Sequence, residues 1–271
     1  LRELSNGTKL NKVYYEDCIK GMRNRLPRKS VDLIIADPPF GIGYFKSGDV
    51  DGSARPNYKS KITDGQRDYK VTGYVEIPRE EYEEFTHKWI KSASRVLKKD
   101  GTMYIVNAPQ NIYWMMDAIN NDTDLIDKAH LAWFYSTGIP YLKNYTYSHH
   151  IIVCFVKDLE NHHWTPPRKV MYTTFEYYRK SWKPDEPRNV TSLPLELVND
   201  LIETSSGNGD VVLDPFMGGG TTAASVINLQ GKYSKLKRNY IGFEMNKNAK
   251  VAIDYYIDKV KTQYESRGKI L

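Results

Sequence analysis

The chain has 271 residues, 40% of them hydrophobic, a net charge of +6, and only two cysteines. That length suits a single domain, 1–271, with a sizeable core. No apolar run approaches the roughly 20 residues a membrane span needs, and no signal-peptide pattern opens the chain. Cys18 and Cys154 can build no disulfide framework, which suits a reducing cytoplasm. The adjacent pairs His149-His150 and His162-His163 lack metal-ligand spacing, so no metal is expected. The positive charge permits a polyanionic partner without requiring one. The 21 Tyr, 8 Phe and 5 Trp, many among basic residues, suit base stacking as well as they suit a polar aromatic surface.

In chain order, residues 12–17 read as a short strand and 18–26 as a helix. Val31 to Ala36 is almost continuously apolar and predicts a strand buried on both faces. It breaks at Asp37-Pro38-Pro39-Phe40. Residues 41–75, rich in Gly, Ser, Asp and Lys, predict a long mobile loop of functional use. Tyr82, Phe85, Trp89 and Ala93 recur at helical spacing and predict a helix over 79–97, ended by Lys98-Lys99-Asp100-Gly101. Strands at 102–107 and 129–135 flank a helix over 110–120, and His149 to Val156 is a further strand. Residues 157–190 then turn Pro- and aromatic-rich, with Trp164, Tyr172, Phe175, Tyr177, Tyr178 and Trp182 among Arg168, Lys169, Arg179, Lys180 and Lys183. Regular alternation resumes with a helix from 193 to 204, a strand at 210–213, a helix at 221–229, a strand at 240–243 and a helix at 246–265. Strands alternating with helices imply an α/β fold with a mainly parallel sheet.

Two strand ends carry chemistry. Val211-Val212-Leu213 runs into Asp214-Pro215-Phe216-Met217-Gly218-Gly219-Gly220-Thr221-Thr222. Three glycines let the backbone approach a ligand closely, and Thr221 and Thr222 open a helix whose free N–H groups favour an anionic group such as a carboxylate. Neither GxxxxGK[ST] nor GxGxxG is present, so phosphate and dinucleotide loops are poor fits. The next strand ends in Glu244, placed to accept two hydrogen bonds from a ribose diol. A nucleoside site without phosphate machinery fits S-adenosylmethionine. At the other strand end, the Asp37 carboxylate and the Pro38 carbonyl can accept both hydrogens of an exocyclic amine. Pro38 and Pro39 fix φ and remove donors, and Phe40 offers a face for a base. Two acceptors localise the amine's lone pair for attack on a methyl carried by a sulfonium, and Asp37 stabilises the developing charge. No Pro-Cys nucleophile is present, so the cysteines read as packing residues.

On these residues the chain resembles the DNA amino-methyltransferases of restriction–modification and related systems. The acceptor motif precedes the cofactor loop, with the aromatic-basic segment between them, and that order resembles the circularly permuted β group. Also similar to the family are Tyr15-Glu16-Asp17-Cys18 with Ser30 to Phe40, Arg95 to Gly101, and Leu193-Pro194-Leu195-Glu196-Leu197. Leu193 stands where the family usually has Lys, Gly219 where Ser is common, and His149-His150 where many members have His-Glu.

The resemblance implies an S-adenosylmethionine-dependent, Rossmann-like methyltransferase fold: a mixed, mainly parallel sheet with helices on both faces. It implies Asp37, Pro38, Pro39 and Phe40 as catalytic residues. It implies a cofactor site made of Asp17, which holds the adenine amine, with Cys18, Asp37, Asp214, Phe216, Gly218, Gly219, Gly220, Thr221, Thr222 and Glu244, and S-adenosylhomocysteine as product. By the family's habit, Asp before Pro-Pro marks adenine N6 and Ser marks cytosine N4. The implied partner is double-stranded DNA, with a flipped base entering the Phe40 pocket. Arg168, Lys169, Arg179, Lys180 and Lys183, inside an inserted target-recognition region at 157–190, are the candidate DNA contacts. The implied setting is the cytoplasm of a prokaryote, or a phage, away from any membrane. A homodimer and a partner restriction endonuclease remain open, as do N4-cytosine methylation and a non-catalytic DNA-binding homologue.

Overall fold

The computed structural model describes residues 2–41, 77–135, 145, 148–178, 186–187, 192–232 and 237–267. The predicted loop at 41–75 therefore lies outside the described residues except for Gly41, and so do Arg179, Lys180 and Lys183.

Chain order gives β1 (Lys12–Tyr14), α1 (Cys18–Arg25), β2 (Val31–Ala36), α2 (Tyr82–Val96), β3 (Leu97–Asn107), α3 (Ile112–Asp122), β4 (Ile126–Phe134) and β5 (His149–Val156). It continues with β6 (Thr174–Glu176), α4 (Leu195–Ser205), β7 (Val211–Asp214), α5 (Thr221–Lys232), β8 (Asn239–Phe243) and α6 (Ala249–Arg267). Short 3-10 turns, Arg79–Glu81 and Pro109–Asn111, lead into α2 and α3.

Among the described residues the eight strands form one sheet in the order β1-β8-β7-β2-β3-β5-β4-β6. All neighbouring pairs are parallel except β3–β5 and β4–β5, so β5 alone runs against the rest. The expected mixed, mainly parallel sheet is the one observed.

The apolar run of β2 is buried on both faces, as its composition requires. Ile34 and Ala36 join Met22, Trp89, Ile90, Met115 and Ile119, which come from α1, α2 and α3. Leu33 and Ile35 join Leu197, Leu201, Val226 and Ile253, which come from α4, α5 and α6. The helices thus divide three to a face. A register irregularity between Val31 and Leu33 turns Val31 toward the first cluster. Asp32 there takes Lys98 Nζ at 2.6 Å and the Val211 N–H at 2.9 Å, tying β2 to β3 and β7.

Several elements differ from the sequence expectation; β1, for one, ends at Tyr14 and not at 17. The helix expected to run to 97 ends at Val96 and β3 starts at once at Leu97, opposite Val31; Lys98 to Gly101 form an irregularity before Thr102 resumes the ladder opposite Leu33. β4 starts at Ile126, three residues before the expected strand at 129, paired to Val156 across an irregularity at Asp127/Ala129. β6 is new. Thr174 to Glu176 pairs with Ala132 to Phe134, so part of the aromatic-basic segment extends the sheet edge. No described helix is long and apolar enough to cross a membrane.

A Cβ on Gly21 in α1 would stand 2.2 Å from Cε1 of Phe243, a ring with no exposed surface. Overpacking a rigid site costs about 1–3 kcal/mol, and this approach belongs at the upper end. Alanine returns only about 1 kcal/mol of helix propensity. Gly21→Ala is therefore expected to lower the urea midpoint; a raised midpoint would mean that Phe243 moves aside freely.

Candidate active site

β2 and β7 lie side by side and parallel, with Ile34 opposite Leu213. From β2 the chain passes through α2 to β3 on one side; from β7 it passes through α5 to β8 on the other. This is the point where strand order reverses, and ligands of open α/β sheets bind outside the carboxyl ends of the strands there. Asp37 to Phe40 leaves β2 at that edge, the Asp214 loop leaves β7, Glu244 follows β8 and Asp17 follows β1.

The β7 loop is built around its acid. Asp214 Oδ1 accepts from the Phe216 N–H at 2.9 Å, and Oδ2 accepts from the Thr222 hydroxyl at 2.6 Å, so the carboxylate closes the loop onto the start of α5. Gly218 and Gly220 take φ of 51° and 82°, the left-handed region that side chains resist. A Cβ on Gly220 would also press on Ile253 of α6 at 3.2 Å.

Glu244 secures the loop from the neighbouring strand. Its Oε2 accepts from the Gly218 N–H at 2.8 Å and its Oε1 from the Asn246 N–H at 2.7 Å. The sequence assigned this acid to a ribose diol. Its two oxygens each hold a backbone N–H, and a carboxylate has lone pairs left for further donors. Asp17 likewise has a local duty, since it caps α1 by accepting from the Lys20 N–H at 2.8 Å. Cys18 follows it, buried in the core, its thiol pushed up by burial first and by Asp17 second.

On β2, Asp37 is half-buried and Pro38 buried. The Phe40 ring lies 5.5 Å from that of His150, which in turn packs on Trp133 at 5.5 Å and Tyr135 at 5.1 Å. The Phe40 carbonyl accepts from Asn111 Nδ2. Asn111 Oδ1 accepts from Arg79 Nη1 at 2.7 Å, and Arg79 lies 3.9 Å above the ring of Trp114. Gly41 has φ 59°, and a Cβ there would meet Cδ2 of Tyr82 at 2.2 Å.

Helix α2 braces both loops. Tyr82 backs the Phe40–Gly41 end, while Phe85 and Trp89 pack on Phe216 at 6.0 and 5.3 Å. Sequence periodicity identified these aromatics as a helix face but not as the link between the two sites. Asn111, Arg79 and the His150–Trp133–Tyr135 cluster were missed. The signal available was a proline-led helix start at Pro109 and a His pair opening a strand, neither specific to a site.

Of the predicted DNA contacts, Arg168 donates to Asp200 Oδ2 at 2.5 Å and to the Tyr177 hydroxyl at 3.2 Å. Lys169 is exposed, and Tyr172 and Tyr178 are each 72% exposed. β6 runs parallel to β4, so the chain at Tyr177–Tyr178 emerges on the Asp37 edge of the sheet.

The glycine cradle, the unspent lone pairs of Glu244 and the lack of a phosphate-loop lysine fit a nucleoside cofactor without phosphates. This is the architecture of a Rossmann-like methyltransferase, with the two acidic loops on neighbouring strands. The fold matches the solved M1.HpyAVI–SAM complex with a TM-score of 0.60 at 19% identity, over 91% of this chain and 98% of that one. It matches the PvuII DNA methyltransferase (cytosine-N4-specific) at 0.67 and 14% identity, over 94% and 91%. At such identities the likeness is one of fold.

Residues 31–254 match the family model described as DNA methylase, and the chain belongs to that family. It is 28% identical to the Type II methyltransferase M.HpaI of Haemophilus parainfluenzae, over 92% of this chain and 73% of that protein. It is also 28% identical to the DNA adenine methyltransferase YhdJ of Escherichia coli (strain K12), over 89% and 80%.

Burial pushes the Asp214 carboxyl up to about 7; the Thr222 and Phe216 hydrogen bonds pull against that, and the nearby Glu244 charge adds to it. The folded state therefore holds this proton more tightly than an unfolded carboxyl titrating near 3.8. The associated stability is complete below 3.8 and is lost as pH rises through about 7. Asp214→Asn keeps an acceptor for the Phe216 N–H, can donate to the Thr222 hydroxyl oxygen, and has no charge to bury. Its unfolding free energy is expected to fall less than the parent's across that window, as measured by denaturant titration at stepped pH. Identical slopes would show that Asp214 keeps no proton in the folded state.

Proposed function

We propose that this protein transfers a methyl group from S-adenosylmethionine to the exocyclic N6 of adenine in DNA. The observation that carries the reading is the placement of Asp37-Pro38-Pro39-Phe40 beside the Asp214 glycine loop, on adjacent parallel strands at the switch point. Membership of the DNA methylase family supports it, as does the adenine activity named for a relative.

Gly218, Gly219, Gly220 and the start of α5 at Thr221 and Thr222 hold the amino-acid part of the cofactor. Glu244 accepts from its ribose, Asp17 faces its adenine amine, and Phe216 and Cys18 pack beside it. When bound, the cofactor supplies a methyl group activated by a sulfonium. Asp37 and the Pro38 carbonyl accept the two hydrogens of the target amine and draw its lone pair out of the ring. As the N–C bond forms and the S–C bond breaks, Asp37 stabilises the positive charge growing on nitrogen. Pro39 keeps the segment stiff, and Phe40, backed by His150, stacks on the flipped base.

DNA reaches this edge over the segment after β6. Lys169, exposed ahead of β6, contacts its backbone or base edges; Arg179, Lys180, Lys183 and the loop at 41–75, outside the described residues except for Gly41, remain candidate DNA contacts. Arg168 contributes through the Asp200–Tyr177 cluster that positions it.

Nucleoside digestion of DNA treated with the protein is expected to yield N6-methyladenine; N4-methylcytosine alone would sink the adenine assignment. Asp37→Ala is expected to lower turnover by at least about 100-fold while cofactor affinity, read by calorimetry, stays within a few-fold. Unimpaired turnover would remove Asp37 from the chemistry. Lys169→Ala is expected to weaken binding evenly across DNA sequences and to reduce the log–log salt slope by about 1; an unchanged slope would take Lys169 off the DNA.

A further inference from the structure

Asn111 has no exposed surface and occupies the residue immediately before α3, the position where an asparagine ordinarily caps its own helix. Its side chain makes no such cap. It turns instead toward the β2 loop, donating to the Phe40 carbonyl and accepting from Arg79. Asn111 ends the 3-10 turn with helical φ and ψ, so its side chain is free of capping duty and serves a tertiary bond instead.

Arg79 itself lies over the ring of Trp114 of α3. The Tyr82 hydroxyl, pushed up to about 12 by burial first, is within hydrogen-bonding reach of Asn111 and feels the Asp37 charge. Immediately after the fixed carbonyl, Gly41 turns the chain through a left-handed conformation against the Tyr82 ring. The last carbonyl of the Asp37 to Phe40 segment is thus anchored from the α2–α3 side, and the segment is only four residues long.

We propose that Asn111 is a positioning residue for methyl transfer. By fixing the Phe40 carbonyl it sets where Asp37, Pro38 and Phe40 meet the target base, with Arg79 holding Asn111 in turn. The inference rests on the reading of Asp37 to Phe40 as the acceptor site. It assigns Asn111 to the chemistry of that site without direct contact with the base or the cofactor.

Asn111→Asp tests it. The substitution preserves shape and the acceptor for Arg79, but when ionised it cannot donate to the Phe40 carbonyl. Protonation restores a donor. The groups facing it are Arg79 from the turn before α2, whose charge favours the ionised form, and the neutral Tyr82 hydroxyl from α2, with the Asp37 charge acting from beyond Tyr82 against it.

Turnover would be measured on unmethylated plasmid DNA with radiolabelled S-adenosylmethionine, beside parent, Asp37→Ala and Arg79→Gln. Near neutral pH, Asn111→Asp is expected to lose about 10- to 100-fold in kcat, the range for an unmade buried hydrogen bond. Its cofactor affinity should remain within about twofold of the parent's. The ratio of its kcat to the parent's should climb as pH falls. Parental kcat, or a loss that is independent of pH and matched by lost cofactor affinity, overturns the proposal. If Asn111→Asp does not fold, Arg79→Gln decides. A fall in kcat at unchanged cofactor affinity supports the role, and parental kcat overturns it. Full turnover by Asp37→Ala would overturn the acceptor-site reading itself, whereas loss in Asp37→Ala with parental kcat in Asn111→Asp overturns only the positioning role.

Discussion

Leu33 and Ile34 of β2 lie against Val212 and Leu213 of β7, and that pairing joins two motifs the chain holds far apart. Everything at the site depends on it. Neighbouring strands in a sheet stand only about 4.8 Å apart, so parallel pairing sends both acidic loops out of the same edge within reach of one another. Neither loop alone makes a group-transfer site. On the proposed reading, Asp214 and its glycines alone would have no acceptor to serve, and Asp37 and its prolines alone no donor nearby. The apolar side chains of β2, buried between two layers of helices, hold this register because a slip by one residue would exchange its two faces.

A second layer of constraint comes from α2, whose single aromatic face touches both loops: Tyr82 at the acceptor end, Phe85 and Trp89 at Phe216. Spacing between the two halves of the site is therefore set by a rigid helix and not by the loops themselves. The carboxylates follow the same economy of parts. Asp214 and Asp17 bind backbone N–H groups of their own loop or helix start, and Glu244 binds one in its own loop and one in the Asp214 loop. Acids proposed to meet the cofactor thus also shape the backbone around it. Burial raises the carboxyls of Asp214 and Glu244 together, and a cationic ligand nearby would favour their charged forms.

Much of this was legible in the residues. The unbroken apolar run ahead of Asp37, the period of Tyr82, Phe85, Trp89 and Ala93, and the glycines between Asp214 and Thr221 each carry a local physical signature that survives folding. Less legible were features that exist only between distant segments. β6 is three residues whose strand character comes from the exposed edge of β4. Lys98 and Lys99 read as a turn because they are polar, yet Lys98 is strand, paired with Asp32 across the sheet. Arg168 looked like a cation available to DNA, and α4 supplies Asp200 to hold it. Asn111 fell inside the helix expected over 110–120, and its side chain serves a loop some seventy residues earlier.

By itself, then, the sequence determined the strand–helix alternation, the two chemical loops and the order in which they occur. These depend on side-chain periodicity, proline and glycine geometry and the kinds of atoms available, all of them local. Only the tertiary structure decided that β2 and β7 are neighbours, that β5 runs against the rest, and that α2 and Asn111 brace the acceptor segment. Those outcomes depend on which buried surfaces and unsatisfied polar groups find each other across the whole chain, and no window of residues contains that information.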